Sequence, residues 1–280
     1  MSDKQMRLPR NFHKTFIPER QYIHAMLRFA ASGREGNYQE IASATGIPMG
    51  KSSGKVPAIL DYCRGMGLIR LIGNGRSAVK RLELTPLGRI VFLEDPHLKE
   101  RITQWIAHFN LCSVLTGAET WYQIFFVGSQ ALGMRFHRSH LEEYLSLVYN
   151  CNSKGVIGPV IRMYEDDAAF RACGVLSEEM DSIVRRPAPI NAECGFAYGA
   201  WILQLIADHF PRANQITLAE LDHKAGWKTI PGWNIDESHR AIDLVERKGI
   251  VAVDRQMNPW IIRPRLSAEE TWGRMYDDLI

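Results

Sequence analysis

Two stretches place a carboxylate two residues before a lysine, Asp222-His223-Lys224 and Glu246-Arg247-Lys248. In this minimal pattern the acid can hold a divalent cation such as Mg2+ while the lysine steadies a phosphate under attack by water. Glu165-Asp166-Asp167 is the densest acidic run, and His137-Arg138-Ser139-His140, with His97 and His108 nearby in sequence, could supply a metal ligand or a general base. A plainer reading stands beside each. Both D/E-x-K patterns fall on expected helices rather than paired strands, adjacent acids on a helix point apart as a solvated face would, and isolated histidines commonly serve packing. These patterns assign no catalytic residue and no metal ligand; a divalent ion enters only if the chain cuts nucleic acid. Gly46-Ile47-Pro48-Met49-Gly50-Lys51-Ser52 looks like a phosphate loop but is one residue short, since the motif requires glycine where Thr45 stands, and a helix rather than a buried strand precedes it.

The elements that would carry such groups repeat. From Pro18 a helix with Ile23, Met26, Leu27 and Ala30 inward stops at Ser32-Gly33. A short helix follows, with Ile41, Ala44 and Ile47 apolar and Gly46 free to take the positive φ of a tight inter-helix turn. A third helix fits Ser52 to Gly65, and after Gly67 the period changes to two, giving a hairpin from residues 68–72 and 79–84 about Gly73-Asn74-Gly75. Three helices and a hairpin make a winged helix, whose third helix enters the DNA major groove while the hairpin reaches phosphates. Lys51, Ser52, Ser53 and Lys55 sit at the start of that third helix, and Arg76, Lys80 and Arg81 load the hairpin. A winged helix that only docks proteins is the alternative.

The pattern returns near the end. Residues 196–210 form a helix, Thr217 to Gly226 a capped short helix with a glycine turn, Asp236 to Lys248 a third helix, and residues 250–253 with 260–262 a second hairpin. His239 and Arg240, with Lys228, Arg255, Arg263 and Arg265, could meet nucleic acid, but Asp236 and Glu237 would repel phosphate while capping the helix, so DNA contact and protein docking both stay open. Between the copies, residues 97–128 read as two helices whose aromatic stripe (Trp105, Phe109, Trp121, Phe125) is core. The stretch from Arg138 to Leu176 loosely repeats the helix, basic turn, helix order. The expected fold is mainly α with small β-hairpins: tandem winged helix-turn-helix domains at 12–95 and 191–266, a helical middle domain at 96–190 joining them, and a tail helix at 267–280.

Composition sets the class. The chain has 280 residues, 46% hydrophobic and 23% charged, with no apolar run long enough to cross a bilayer and no secretory leader, so a cytoplasmic protein without a membrane partner is expected. Five scattered cysteines without a C-x-x-C pair argue against a disulfide framework and a structural zinc, and read as buried thiols. Residues 1–91 hold fifteen Lys and Arg against six Asp and Glu, so a net of +9 in the first third meets −6 in the rest. A basic module that meets a polyanion, double-stranded DNA in the winged-helix reading, follows from that asymmetry.

Phe12-His13-Lys14-Thr15-Phe16, then Leu84-Thr85-Pro86-Leu87-Gly88-Arg89, Asp95-Pro96-His97-Leu98, Thr103-Gln104-Trp105 and Ala118-Glu119-Thr120-Trp121-Tyr122 resemble a family of bacterial proteins encoded in DNA phosphorothioation and phage-defence clusters. The family includes the SspB-like component of single-strand phosphorothioation systems. The resemblance is best over residues 12–126 and runs on, thinner, to about 265; the family motif carries Glu where this chain has Lys14. It implies a DNA-binding protein that nicks one strand to admit sulfur, working beside a cysteine desulfurase, an ATP pyrophosphatase and an ATPase. A non-enzymatic recognition or adaptor subunit of the same machinery is the alternative, and a transcription regulator a third. The resemblance carries no catalytic set onto this chain.

Overall fold

The computed structural model describes residues 7–49, 54–73, 77–256 and 258–279. The chain divides into two compact units, Met1–Arg186 and Pro187–Ile280. Both are mainly helical with small antiparallel sheets, and no helix among the described residues is long and apolar enough to cross a membrane.

In the first unit α1 (Arg20–Ala31) buries Ile23, Met26, Leu27 and Ala30 on one stripe and leads to a two-residue strand, β1 (Glu35–Gly36). α2 (Tyr38–Thr45) is closed at both ends by its own sequence. Asn37 and Glu40 form a reciprocal capping box, and Gly46 ends the helix at φ 73°, a left-handed conformation that suits a residue without Cβ. α3 runs Lys55–Gly65 from an N-cap at Gly54; the expected start at Ser52 lies outside the described residues. Pro57 then falls in the first turn, where a missing N–H costs no intrahelical hydrogen bond. β2 (Ile69–Ile72) and β3 (Lys80–Leu84) pair from Ile69 opposite Leu84 to Ile72 opposite Arg81, and β1 adds to the free edge of β3, giving the strand order β1-β3-β2.

α4 (Pro86–Glu94) begins at Thr85, whose hydroxyl caps Gly88 N–H, and leads through α5 (Arg101–Leu111) and α6 (Glu119–Tyr122) to a π-helical turn at Gln123–Val127 and then α7 (Ser129–Leu132). The same order then recurs: β4 (Arg135–His137), α8 (Arg138–Tyr149), α9 (Lys154–Glu165), β5 (Leu176–Glu179) and β6 (Ser182–Arg185), with sheet order β4-β6-β5. The middle of the chain therefore carries a hairpin and a sheet of its own, where a helical segment is expected from sequence.

The second unit gives the third recurrence. α10 (Gly195–His209) is followed by β7 (Ile216–Thr217), α11 (Leu218–Ala225), α12 (Ile235–Arg247), β8 (Val251–Asp254) and β9 (Ile261–Pro264), again with the third strand central. α11 carries the Thr217/Glu220 capping box and α12 an Asn234/Glu237 box. α10 approaches so closely that a Cβ on Gly199 would lie 2.4 Å from Ile250 Cδ1. α13 (Ala268–Trp272) packs on α10, burying Trp272 and Met275, and Asp278 pairs with Lys248.

Candidate nucleic-acid interface

Of the residues expected at the interface, Lys51, Ser52, Ser53 and Arg76 lie outside the described residues. Lys55 and Lys80 turn inward. Lys55 Nζ pairs with Glu19 Oε1 at 2.5 Å and sits 4.6 Å from the centre of the Tyr22 ring. Lys80 is 7% exposed and donates to the Ser77 carbonyl at 2.6 Å above the Tyr38 ring. Both ammonium groups find acceptors within the fold that water would otherwise supply. Arg81 is exposed, 3.7 Å from Glu35 across the β1–β3 pair.

The three third helices differ in what they show to solvent. No residue of α3 is exposed. Tyr62 donates to the Phe16 carbonyl, and Gly65 is pressed between Leu8 and Leu111. In α9, Arg162 reaches solvent but donates to the Thr15 carbonyl at 2.7 Å, and Tyr164 is buried. α12 keeps an open face: Ile235, Asp236, Arg240 and Arg247 are exposed. Among the described residues neither Arg240 nor Arg247 has an acidic partner, because Asp243 between them is taken by Arg255 at 2.5 Å. Arg240, Asp243, Leu244 and Arg247 line a groove of about 300 Å³ against Ile190–Ala192. His239 stacks on Trp260 with ring centres 4.0 Å apart and planes 15° from parallel, and Arg255 lies over the same indole while also pairing with Glu246 at 2.7 Å. Helix and hairpin are thereby tied together. Of the other basic residues there, Lys228 meets Asp222 and Arg263 meets Asp254.

The acids with nuclease-like spacing are occupied locally. Asp222 accepts the backbone N–H groups of Lys228 and Thr229 and the Thr229 hydroxyl, closing the turn after α11. Glu246 accepts Val253 N–H and pairs with Arg255. Asp166 accepts Ala168 N–H and Asp167 pairs with Arg171; Glu165 stays separate, its carboxyl raised by partial burial and by the like charge of Glu178. The histidines do not converge either. His137 Nδ1 meets the Asp181 carbonyl, His97 lies against His24, and His108 is fully buried. Among the described residues no three His, Cys, Asp or Glu side chains are grouped to hold a metal ion.

A buried polar centre in the first unit carries no sequence signal. Trp121 Nε1 donates to Tyr164 Oη at 2.9 Å, and Tyr164 Oη lies 2.7 Å from His108 Nδ1. Indole can only donate, so the phenol proton goes to His108 Nδ1 and fixes the other tautomer. Burial drives His108 well below its ordinary pKa and Tyr164 well above. Arg185, over the Phe125 ring, is lowered to about 10 by the same desolvation. No spacing signal links residues 56 positions apart, and closed to solvent the centre is scaffolding. Four cysteines are buried as expected; Cys151 is exposed and receives a contact from Arg10 at 2.8 Å.

No family model matches the chain, and no curated protein does. Solved structures do. A crystal structure of SspB with magnesium ion bound superposes with a TM-score of 0.68 at 17% identity, covering 96% of this chain and 88% of the other. A second SspB crystal structure gives 0.66 with the same identity and coverage. The chain has an SspB-like fold.

Proposed function

We propose that the chain is a DNA-recognition component of a DNA phosphorothioation and phage-defence machinery, built from three winged-helix repeats and acting beside ATP pyrophosphatase and ATPase proteins. The observation that carries this reading is the likeness to SspB across 96% of the chain. The thrice-repeated order of strand, two helices and hairpin with the third strand central supports the winged-helix assignment. Arg81 and Arg240 are the expected interface residues that are exposed, His239 is half-buried against Trp260, and Arg247 joins the exposed set.

Strand nicking is the second reading, favoured by the same likeness, with Asp222 and Glu246 each engaged by local partners in the unliganded fold. Supercoiled plasmid incubated with the chain and Mg2+ or Mn2+ separates the two, because only a nickase makes open circles. The expected result is a retarded plasmid that stays supercoiled. Open circles would select the nicking reading; absence of any shift at about 50 mM salt, where phosphate contacts are strongest, would end both.

A further inference from the structure

We infer that base sequence is read by α12, the third helix of the last repeat, through Ile235, Asp236 and Arg240, and that the corresponding helices of the first two repeats are structural. The inference rests on the DNA-binding reading above.

Exposure separates the three helices. A helix that enters the major groove must offer side chains to solvent before DNA arrives, and the first turns do most of the reading. α3 has no exposed residue, and its first side chain, Lys55, is committed to Glu19. In α9 Gly155 and Arg162 are exposed, but the glycine offers no side chain, Arg162 donates to the Thr15 carbonyl, and Tyr164 is buried against His108. At the start of α12, Ile235 is 65% exposed, a large apolar side chain that the unit does not cover.

The residue types on that face match base edges rather than phosphates. An aliphatic group meets the thymine methyl, a carboxylate accepts from the cytosine amino group, and a guanidinium grips guanine O6 and N7. The acids speak the same way. Asp236 and Glu237 would weaken general attraction to a polyanion, and Pro187–Ile280 holds ten Lys and Arg against thirteen Asp and Glu, so this face contributes choice rather than overall affinity. Glu237 is spent on the cap, which fixes the first turn. The His239–Trp260 stack and the Arg255 bridge to Asp243 and Glu246 hold helix and hairpin in one arrangement before binding, so little ordering remains to be done on contact.

Selection from a randomised duplex library with the full-length chain tests this, comparing the wild type with Ile235→Ala/Arg240→Ala and with Lys55→Ala, and using thermal melts to control for folding. The wild type should enrich a short motif. The α12 double variant should flatten preference at one or more positions by about tenfold, the order of one good base contact, while its affinity for unselected duplex falls by less than about threefold. Lys55→Ala should keep the motif. A motif unchanged in the double variant, no motif in the wild type, or a motif erased in folded Lys55→Ala would each overturn the inference while leaving DNA binding intact. A chain that shifts no duplex at low salt would overturn the DNA-binding reading and this inference with it.

Discussion

Tyr164 satisfies two buried groups with one oxygen, accepting from the Trp121 indole and donating to His108. Tyr164→Phe keeps the ring and strands both partners, so unfolding free energy should fall by roughly 2 to 4 kcal/mol, read from the denaturant midpoint at unchanged slope. A loss under about 0.5 kcal/mol would show that the hydroxyl carries no structural role. His13 is also buried; Nδ1 donates to the Lys14 carbonyl, while Nε2 has no hydrogen-bond partner among the described residues. Desolvation lowers its pKa from 6.5 to about 4, and His108 moves the same way. The unfolded chain therefore binds protons that the folded one refuses. Stability should be full above about pH 6.5 and fall, at up to about 1.4 kcal/mol per pH unit for each such histidine, as pH drops toward 4. A midpoint flat from pH 7 to 5 would contradict this. At this scale the sequence is least informative: a histidine's type announces chemistry, and only its surroundings decide between a base and a packed ring.

Elements were far more legible. Asn37, Gly46, Thr217, Glu220 and Gly226 mark helix ends by local backbone chemistry alone, and the structure places caps and turns at those residues. The hairpin of the second repeat is hidden in the sequence because its strands carry Ser177, Glu178, Glu179 and Ser182, and its turn lacks Gly, Asn or Pro. Met180 takes the left-handed conformation there, at φ 54° and with its side chain fully in solvent. Met180→Gly should accordingly raise stability by about 0.5 to 1 kcal/mol, seen as a higher melting temperature; a lower one would mean the side chain holds the turn. Gly88 is the opposite case. A Cβ there would stand 1.8 Å from the Leu68 carbonyl oxygen, so α4 rests directly on the backbone of the loop before β2. Gly88→Ala should cost about 3 kcal/mol or more, again measured at the denaturant midpoint. The candidate interface is legible in the sequence only as basic positions without their company: Lys55 and Lys80 look alike in a helix start and a strand, and Glu19 and the Ser77 carbonyl meet them only in three dimensions.

Across the whole molecule, charge is divided. Met1–Arg186 holds 24 Lys and Arg against 18 Asp and Glu, a net of +6, while Pro187–Ile280 stands at −3. Much of the first repeat's positive charge is already matched, since Glu19, Glu35, Asp61 and Glu83 each face a Lys or Arg. Freeing Arg81 by Glu35→Gln should therefore strengthen binding to duplex DNA severalfold, within the roughly 0 to 1 kcal/mol that a surface ion pair carries. Arg81→Ala should flatten the dependence on salt by about one contact, a slope change near 0.9. Titrations between about 50 and 200 mM salt read both, and equal slopes for wild type and Arg81→Ala would remove Arg81 from the interface. The tryptophans are divided as well: Trp105 and Trp121 belong to the first unit, and Trp201, Trp227, Trp233, Trp260 and Trp272 to the second. All but Trp260 are buried. Intrinsic emission thus reports mainly on the last third of the chain, and phenylalanine in place of those five would leave a fluorescent signal belonging to the other unit alone.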